Sequence, residues 1–133
     1  MSSGGQLVIG QMGEVNVPKD SLVTFYNPKD GKKLLNLPTG LYDIAGLAYS
    51  PKGQLLAVDF AWMKSDEGGL FNLVQTKGDG GQQGLSARKL ASLDKPSAMA
   101  FGPDGALYVT IFGTAKEGSD KKPGSLLKVE VGN

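Results

Sequence analysis

Ala48-Tyr49-Ser50-Pro51-Lys52-Gly53-Gln54-Leu55-Leu56-Ala57-Val58 returns later in the chain as Ala100-Phe101-Gly102-Pro103-Asp104-Gly105-Ala106-Leu107-Tyr108-Val109. Each copy is an alternating apolar run that enters Ser-Pro-Lys-Gly or Gly-Pro-Asp-Gly and leaves it as a second apolar run. Proline presets φ at one corner of a turn, and glycine supplies the positive φ of the next. The pattern predicts a β-hairpin, written twice.

Outward from this pair the agreement extends over further strands. Ala48 and Ala100 are 52 positions apart, and Ser125-Leu126-Leu127-Lys128-Val129 matches Gly69-Leu70-Phe71-Asn72-Leu73 at 56, the four extra residues falling in the intervening loop. Toward the start, Gly5-Gln6-Leu7 matches Gly53-Gln54-Leu55 at 48, and Ser21-Leu22-Val23-Thr24-Phe25 matches Gly69 to Leu73 at the same offset. One unit of four short strands therefore occurs three times. The first copy, about 5–38, lacks its first strand; the second spans about 44–93; the third, about 97–131, lacks its fourth. No window shows sustained helical periodicity.

A repeat near fifty residues with four strands and Gly-rich turns is the signature of β-propeller blades. Propellers close with roughly four to eight blades, so three leave open sheet edges that invite pairing. The expected architecture is all-β, three antiparallel blades in one half-propeller domain. The ring is completed either by a second copy, as a six-bladed homodimer, or by the rest of a longer chain; a compact three-sheet monomer is the alternative.

Composition bounds the chemistry. The chain of 133 residues is 40% hydrophobic, enough for a domain with a core. Fourteen basic and 13 acidic residues leave a formal charge of +1, with no long run of either sign, which argues against a nucleic-acid or anionic-membrane surface. Lys116, Lys121 and Lys122 read as a solvated loop. With no cysteine and no histidine, disulfides, thiolate catalysis, a Ser-His-Asp triad and imidazole metal sites are excluded. Nothing approaches the apolar length of a membrane span, and Met1 to Gly5 carries no secretory pattern, so a soluble chain of undetermined compartment is expected. Ser2-Ser3-Gly4-Gly5 reads as an unstructured start, and Lys77 to Gly84 as a Gly/Gln-rich tip.

Pro96-Ser97-Ala98-Met99-Ala100-Phe101-Gly102-Pro103-Asp104-Gly105-Ala106-Leu107-Tyr108-Val109-Thr110 resembles the repeat of NHL-type propellers, which overlaps with that of the SMP-30/gluconolactonase group and of soluble sugar-dehydrogenase-like propellers. It covers nearly all of the two later units and, weakly, the first. Members are usually six-bladed, so the chain resembles half of one. The resemblance implies that ligands gather on the face built from Gln11–Asp20, Ala61–Gly68 and Gly113–Gly124, with Gly40–Asp43 and Leu93–Ser97. Candidate ligand-binding residues there are Glu14, Asn16, Tyr42, Asp43, Asp59, Trp62 and Asp94.

Gluconolactonase-like enzymes hold a divalent cation with a Glu, Asn and Asp set. The resemblance thus makes Glu14, Asn16 and Asp59 candidate ligands for Ca²⁺ or another hard cation, which oxygen donors suit. In the competing reading, Asp43, Asp59 and Asp94 cap turns and accept from backbone amides. Asp59 stands out because its counterpart in the last unit is Ile111, so the blade as such does not require an acid there. Trp62, the one tryptophan, either stacks on a ligand or packs between blades.

Two functions come first. One is a non-catalytic propeller module that binds a small ligand or a protein partner on its loop face. The other is a divalent-metal-dependent lactonase or hydrolase, in which the cation polarises a carbonyl and activates water. A quinone-dependent dehydrogenase is third, and the lack of a His base counts against it.

Overall fold

The computed structural model describes residues 1–131. Ten strands run along the described residues: β1 (Leu7–Gln11), β2 (Leu22–Tyr26), β3 (Lys33–Pro38), β4 (Ile44–Tyr49), β5 (Leu55–Asp59), β6 (Gly69–Lys77), β7 (Gln83–Ser92), β8 (Pro96–Phe101), β9 (Leu107–Ile111) and β10 (Ser125–Val129). They form three antiparallel sheets in chain order, β1-β2-β3, β4-β5-β6-β7 and β8-β9-β10. Among the described residues, no helix is long and apolar enough to cross a membrane.

The repeated phrase forms the same hairpin twice. Tyr49 pairs with Leu55 and Phe101 with Leu107 at the turn ends of β4-β5 and β8-β9. In the first turn Ser50 N–H donates to the Gln54 carbonyl at 2.8 Å and Gly53 N–H to the Ser50 carbonyl at 2.9 Å; in the second, Gly102 and Gly105 donate to Ala106 and Gly102 at 2.9 and 3.0 Å. Gly53 and Gly105 sit at φ 80° and 78°, where a Cβ would meet its own carbonyl.

The start of the chain corrects the expectation of an unstructured segment. Ser2 and Gly5 donate to the carbonyls of Gln6 and Ser2 at 2.9 and 3.0 Å, and Gly5 has φ 77°. Ser2 Oγ accepts from Gln6 N–H at 3.0 Å, as Ser50 Oγ accepts from Gln54 N–H at 3.1 Å. Ser2 to Gln6 is therefore a third copy of the turn, made without proline. The Gly/Gln-rich tip is also shorter than expected: β6 and β7 stay paired as far as Lys77 and Gln83, so the connection narrows to five residues, Gly78 to Gln82.

Register corrects the first unit by one position. Val8 and Gly10 of β1 pair with Phe25 and Val23, whereas Leu56 and Val58 of β5 pair with Asn72 and Leu70. Val23 thus corresponds to Leu70, an offset of 47 and not 48. The cause is loop length: ten residues separate Gln11 from Leu22, nine separate Asp59 from Gly69. Side chains alternate along a strand, so one residue of slip exchanges its two faces. In the third unit the offset of 56 stands, since Leu126 pairs with Thr110 as Leu70 pairs with Val58.

These registers decide the packing. Val23, Phe25 and Leu37 of the first sheet meet Leu55, Ala57, Phe71 and Leu73 of the second in one core cluster. The opposite face of the second sheet, Leu56, Val58 and Leu70, meets Leu107 and Val109 of the third. The middle sheet is thus apolar on both faces, as a blade between two neighbours must be. Among the described residues nothing pairs with the free edges of β1 and β10, where Leu7, Ile9 and Leu126 are exposed.

Candidate functional site

The loops that follow each second strand turn away at one repeated position. Met12 bridges Asp43, Phe60 N–H donates to the Asp43 carbonyl at 2.9 Å, and Phe112 N–H donates to the Lys95 carbonyl at 2.9 Å. Each bond ties a loop to the connection entering a blade, so the two kinds of loop lie on one face. The tied residues are Met, Phe and Phe. Phe60 is buried, with Trp62 stacked on it at 5.5 Å between centroids and Phe112 edge-on at 5.8 Å. Trp62 itself is 67% exposed, so it does not pack between sheets.

Beside Trp62 lies a cleft of about 270 Å³. The stretch Met12 to Val17 lines it from the first unit, Trp62 and Met63 line it from the second, and Tyr42 and Asp43 from the connection between them. Met12, Val15, Val17, Trp62 and Met63 are all exposed large apolar side chains, an uncommon concentration for loops. Gly13 lets the first wall approach its own base: a Cβ there would run into the Asp20 carboxylate. That carboxylate accepts from Glu14 N–H through Oδ2 at 2.8 Å, while its Oδ1 is buried without a hydrogen bond.

The structure separates the acids that the sequence grouped. Glu14, Asn16, Tyr42, Asp43 and Trp62 share the cleft. Asn16 holds φ at 73°, a left-handed conformation that asparagine tolerates better than most residues. Asp43 is 8% exposed; its Oδ2 accepts from Trp62 N–H at 2.8 Å and so sets the start of the Trp62 loop.

Asp59 is 1% exposed and turned toward backbone. Its Oδ1 accepts from Asp43 N–H at 2.7 Å and Ala61 N–H at 3.0 Å, and its Oδ2 from Tyr42 N–H at 2.9 Å. Burial raises its pKa against the opposing pull of these three amides. The local need for an acid at this position is the pinning of Tyr42 and Asp43, in the connection from β3 to β4, against the end of β5. Asp94 lies apart, in a groove with Ser65, Asp66 and Thr114. Among the described residues no three or more Asp or Glu side chains come together as a cation site; of the three candidate ligands, Glu14 and Asn16 line the cleft, whereas Asp59 lines the neighbouring groove.

A larger groove of about 620 Å³ runs between the first two sheets, lined by Tyr42, Glu67, Lys19 and Lys89 among others. Lys64 donates to Glu67 at 2.7 Å and holds its carboxyl below the ordinary value, and burial together with Glu67 raises the Tyr42 hydroxyl.

The residues absent from the sequence reading are the apolar ones: Met12, Val15, Val17, Met63 and Phe112. One signal for them was available. Phe60 and Phe112 stand 52 positions apart, the offset of the repeated hairpin, just past strands whose cores are already filled.

No known family profile matches this chain, and neither does any curated protein. Among solved structures, it is similar to a "putative oxidoreductase (glucose dehydrogenase)" from Thermus thermophilus, at 20% identity and a TM-score of 0.61. The match covers 96% of this chain and 42% of that one, so the chain spans less than half the length of the protein it resembles. At that identity the likeness concerns fold, and with the sheets above it makes the chain an all-β arrangement of antiparallel sheets that matches part of a larger β-propeller.

Proposed function

We propose that this chain is a β-propeller module, non-catalytic by itself, that binds a small ligand in the cleft between Met12–Val17 and Trp62-Met63. The observation that carries this reading is the gathering of exposed apolar side chains around one concave site, while the nearby acid Asp59 is committed to backbone amides. Pockets of this kind, apolar with a few placed polar groups, are the usual sites of small-molecule binding. Trp62 is the one tryptophan, so its emission reports on the cleft directly. Titration with a panel of aromatic, sugar and lactone compounds should give at least one saturable change that Val15→Asp abolishes. No saturable change with any member would overturn the reading.

A second reading takes the chain as part of a sugar oxidoreductase, supported by the description of the Thermus protein. It predicts glucose-dependent reduction of a quinone or dye by the purified chain, or by the chain joined to the blades that complete a ring. The metal-dependent lactonase reading and the NHL or SMP-30 resemblance rest on the repeat motif, and lactone hydrolysis that requires Ca²⁺ would favour them. Ring closure by a second copy belongs to the same proposal, supported by the free edges of β1 and β10. Light scattering should then give about twice 13.9 kDa; a monomer would overturn it.

A further inference from the structure

We infer that the cleft selects a small organic cation with an apolar body, such as an aromatic or alkyl ammonium. The inference rests on the cleft being a ligand site and concerns the charge of what enters it. Its ionisable lining residues besides Tyr42 are two acids, Glu14 and Asp43, and no Lys or Arg lines it. Of the nearby cations, Lys64 pairs with Glu67 at 2.7 Å, and Lys19 lines the groove between the sheets and not this cleft.

Two further observations point to a positive ligand. Asp43 is more than nine-tenths buried, and among the described residues only its Oδ2 carries a hydrogen bond, from Trp62 N–H. Its Oδ1 is not sealed from solvent, so this carboxylate oxygen stays open to a donor or a cation that enters the cleft. Behind the Met12–Val17 wall, Asp20 keeps Oδ1 buried without a partner, adding negative potential on the same side. Trp62 supplies the other half of the recognition. Its ring is largely exposed and backed by Phe60, and an indole face attracts a cation within about 6 Å of its centroid. Met12, Val15 and Met63 then contact the hydrocarbon body of the ligand, which an inorganic ion would leave unfilled.

The test compares three probes of one size: benzyltrimethylammonium, benzyl alcohol and benzenesulfonate, titrated into the full chain by Trp62 emission and by calorimetry. The cation should bind roughly tenfold tighter than the neutral probe, and the anion should not bind. Rising salt should weaken the cation alone. Glu14→Gln, an exposed change that leaves the fold intact, should lower cation affinity by about threefold and leave benzyl alcohol unchanged. Asp43→Asn keeps a carbonyl for Trp62 N–H and should lower it further; its unfolding midpoint is measured alongside. Equal binding of cation and neutral probe, indifferent to Glu14→Gln, would overturn this inference while leaving a binding cleft in place. Binding of none of the three would overturn it as well, and the wider panel above would then decide whether the cleft binds anything.

Discussion

Replacing Asp59 should destabilise the fold in a graded way that follows its three hydrogen bonds. Asp59→Ala strands three buried N–H groups, those of Tyr42, Asp43 and Ala61. An unsatisfied buried donor costs about 1–3 kcal/mol. Removing a desolvated charge returns part of that, so the net expectation sits near the lower sum, about 3 kcal/mol. Against a total of about 5–15 kcal/mol this is a large fraction. With a urea slope of about 2 kcal/mol/M it moves the midpoint down by about 1.5 M.

Asp59→Asn is milder. Its carbonyl can still accept from Asp43 and Ala61, but its amide faces the Tyr42 N–H donor to donor, a loss of about 1–2 kcal/mol. Urea titration followed by circular dichroism and by Trp62 emission measures both variants. Because burial raises the Asp59 pKa above 3.8, the folded state holds a proton that the unfolded state has released. The stability from this group is present below 3.8 and is lost as pH rises through the folded value. The gap between wild type and Asp59→Asn, which cannot titrate, should therefore widen in favour of wild type as pH falls from neutral toward 3.8. An Asp59→Ala variant within about 0.5 kcal/mol of wild type would refute the pinning role; a gap that narrows on acidification would show instead that the three amides outweigh burial in setting the Asp59 pKa.

The three copies of the hairpin turn make an internal control: Gly5→Ala, Gly53→Ala and Gly105→Ala each place a Cβ at φ 77° to 80° and should each cost about 1 kcal/mol by denaturant melting, with no copy differing widely from the others. Leu56 is fully buried between the second and third sheets, so Leu56→Ala should lose about 2–5 kcal/mol, and a loss under about 1 kcal/mol would mean that those sheets are not packed in solution. The same variants should leave Trp62 emission in the folded state unchanged, since none of these residues lines the cleft.

Legibility differed from one part of the chain to another for identifiable reasons. The hairpins at 44–59 and 96–111 could be read directly because a turn is set by adjacent residues, and Pro and Gly state their φ without help from the rest of the chain. The same logic could have found the turn at Ser2 to Gln6, but without its proline the Ser-Gly composition looked like an unstructured start. The order of strands within each sheet followed from the repeat.

Tertiary structure decided what depends on distance through space. The register of β2 changed with a loop one residue longer, and residue counting across a loop cannot tell which side absorbs the extra residue; burial of Val23 and Phe25 against the second sheet does. The acids suffered the same limit. Asp43, Asp59 and Asp94 look alike in sequence, yet the packing of one sheet on the next turns Asp59 into backbone, leaves Asp43 one oxygen short of a partner beside Trp62, and sends Asp94 to a separate groove. Strand and turn were legible because their energetics are local. The cleft was not, because its walls come from two units and meet only once the sheets have packed.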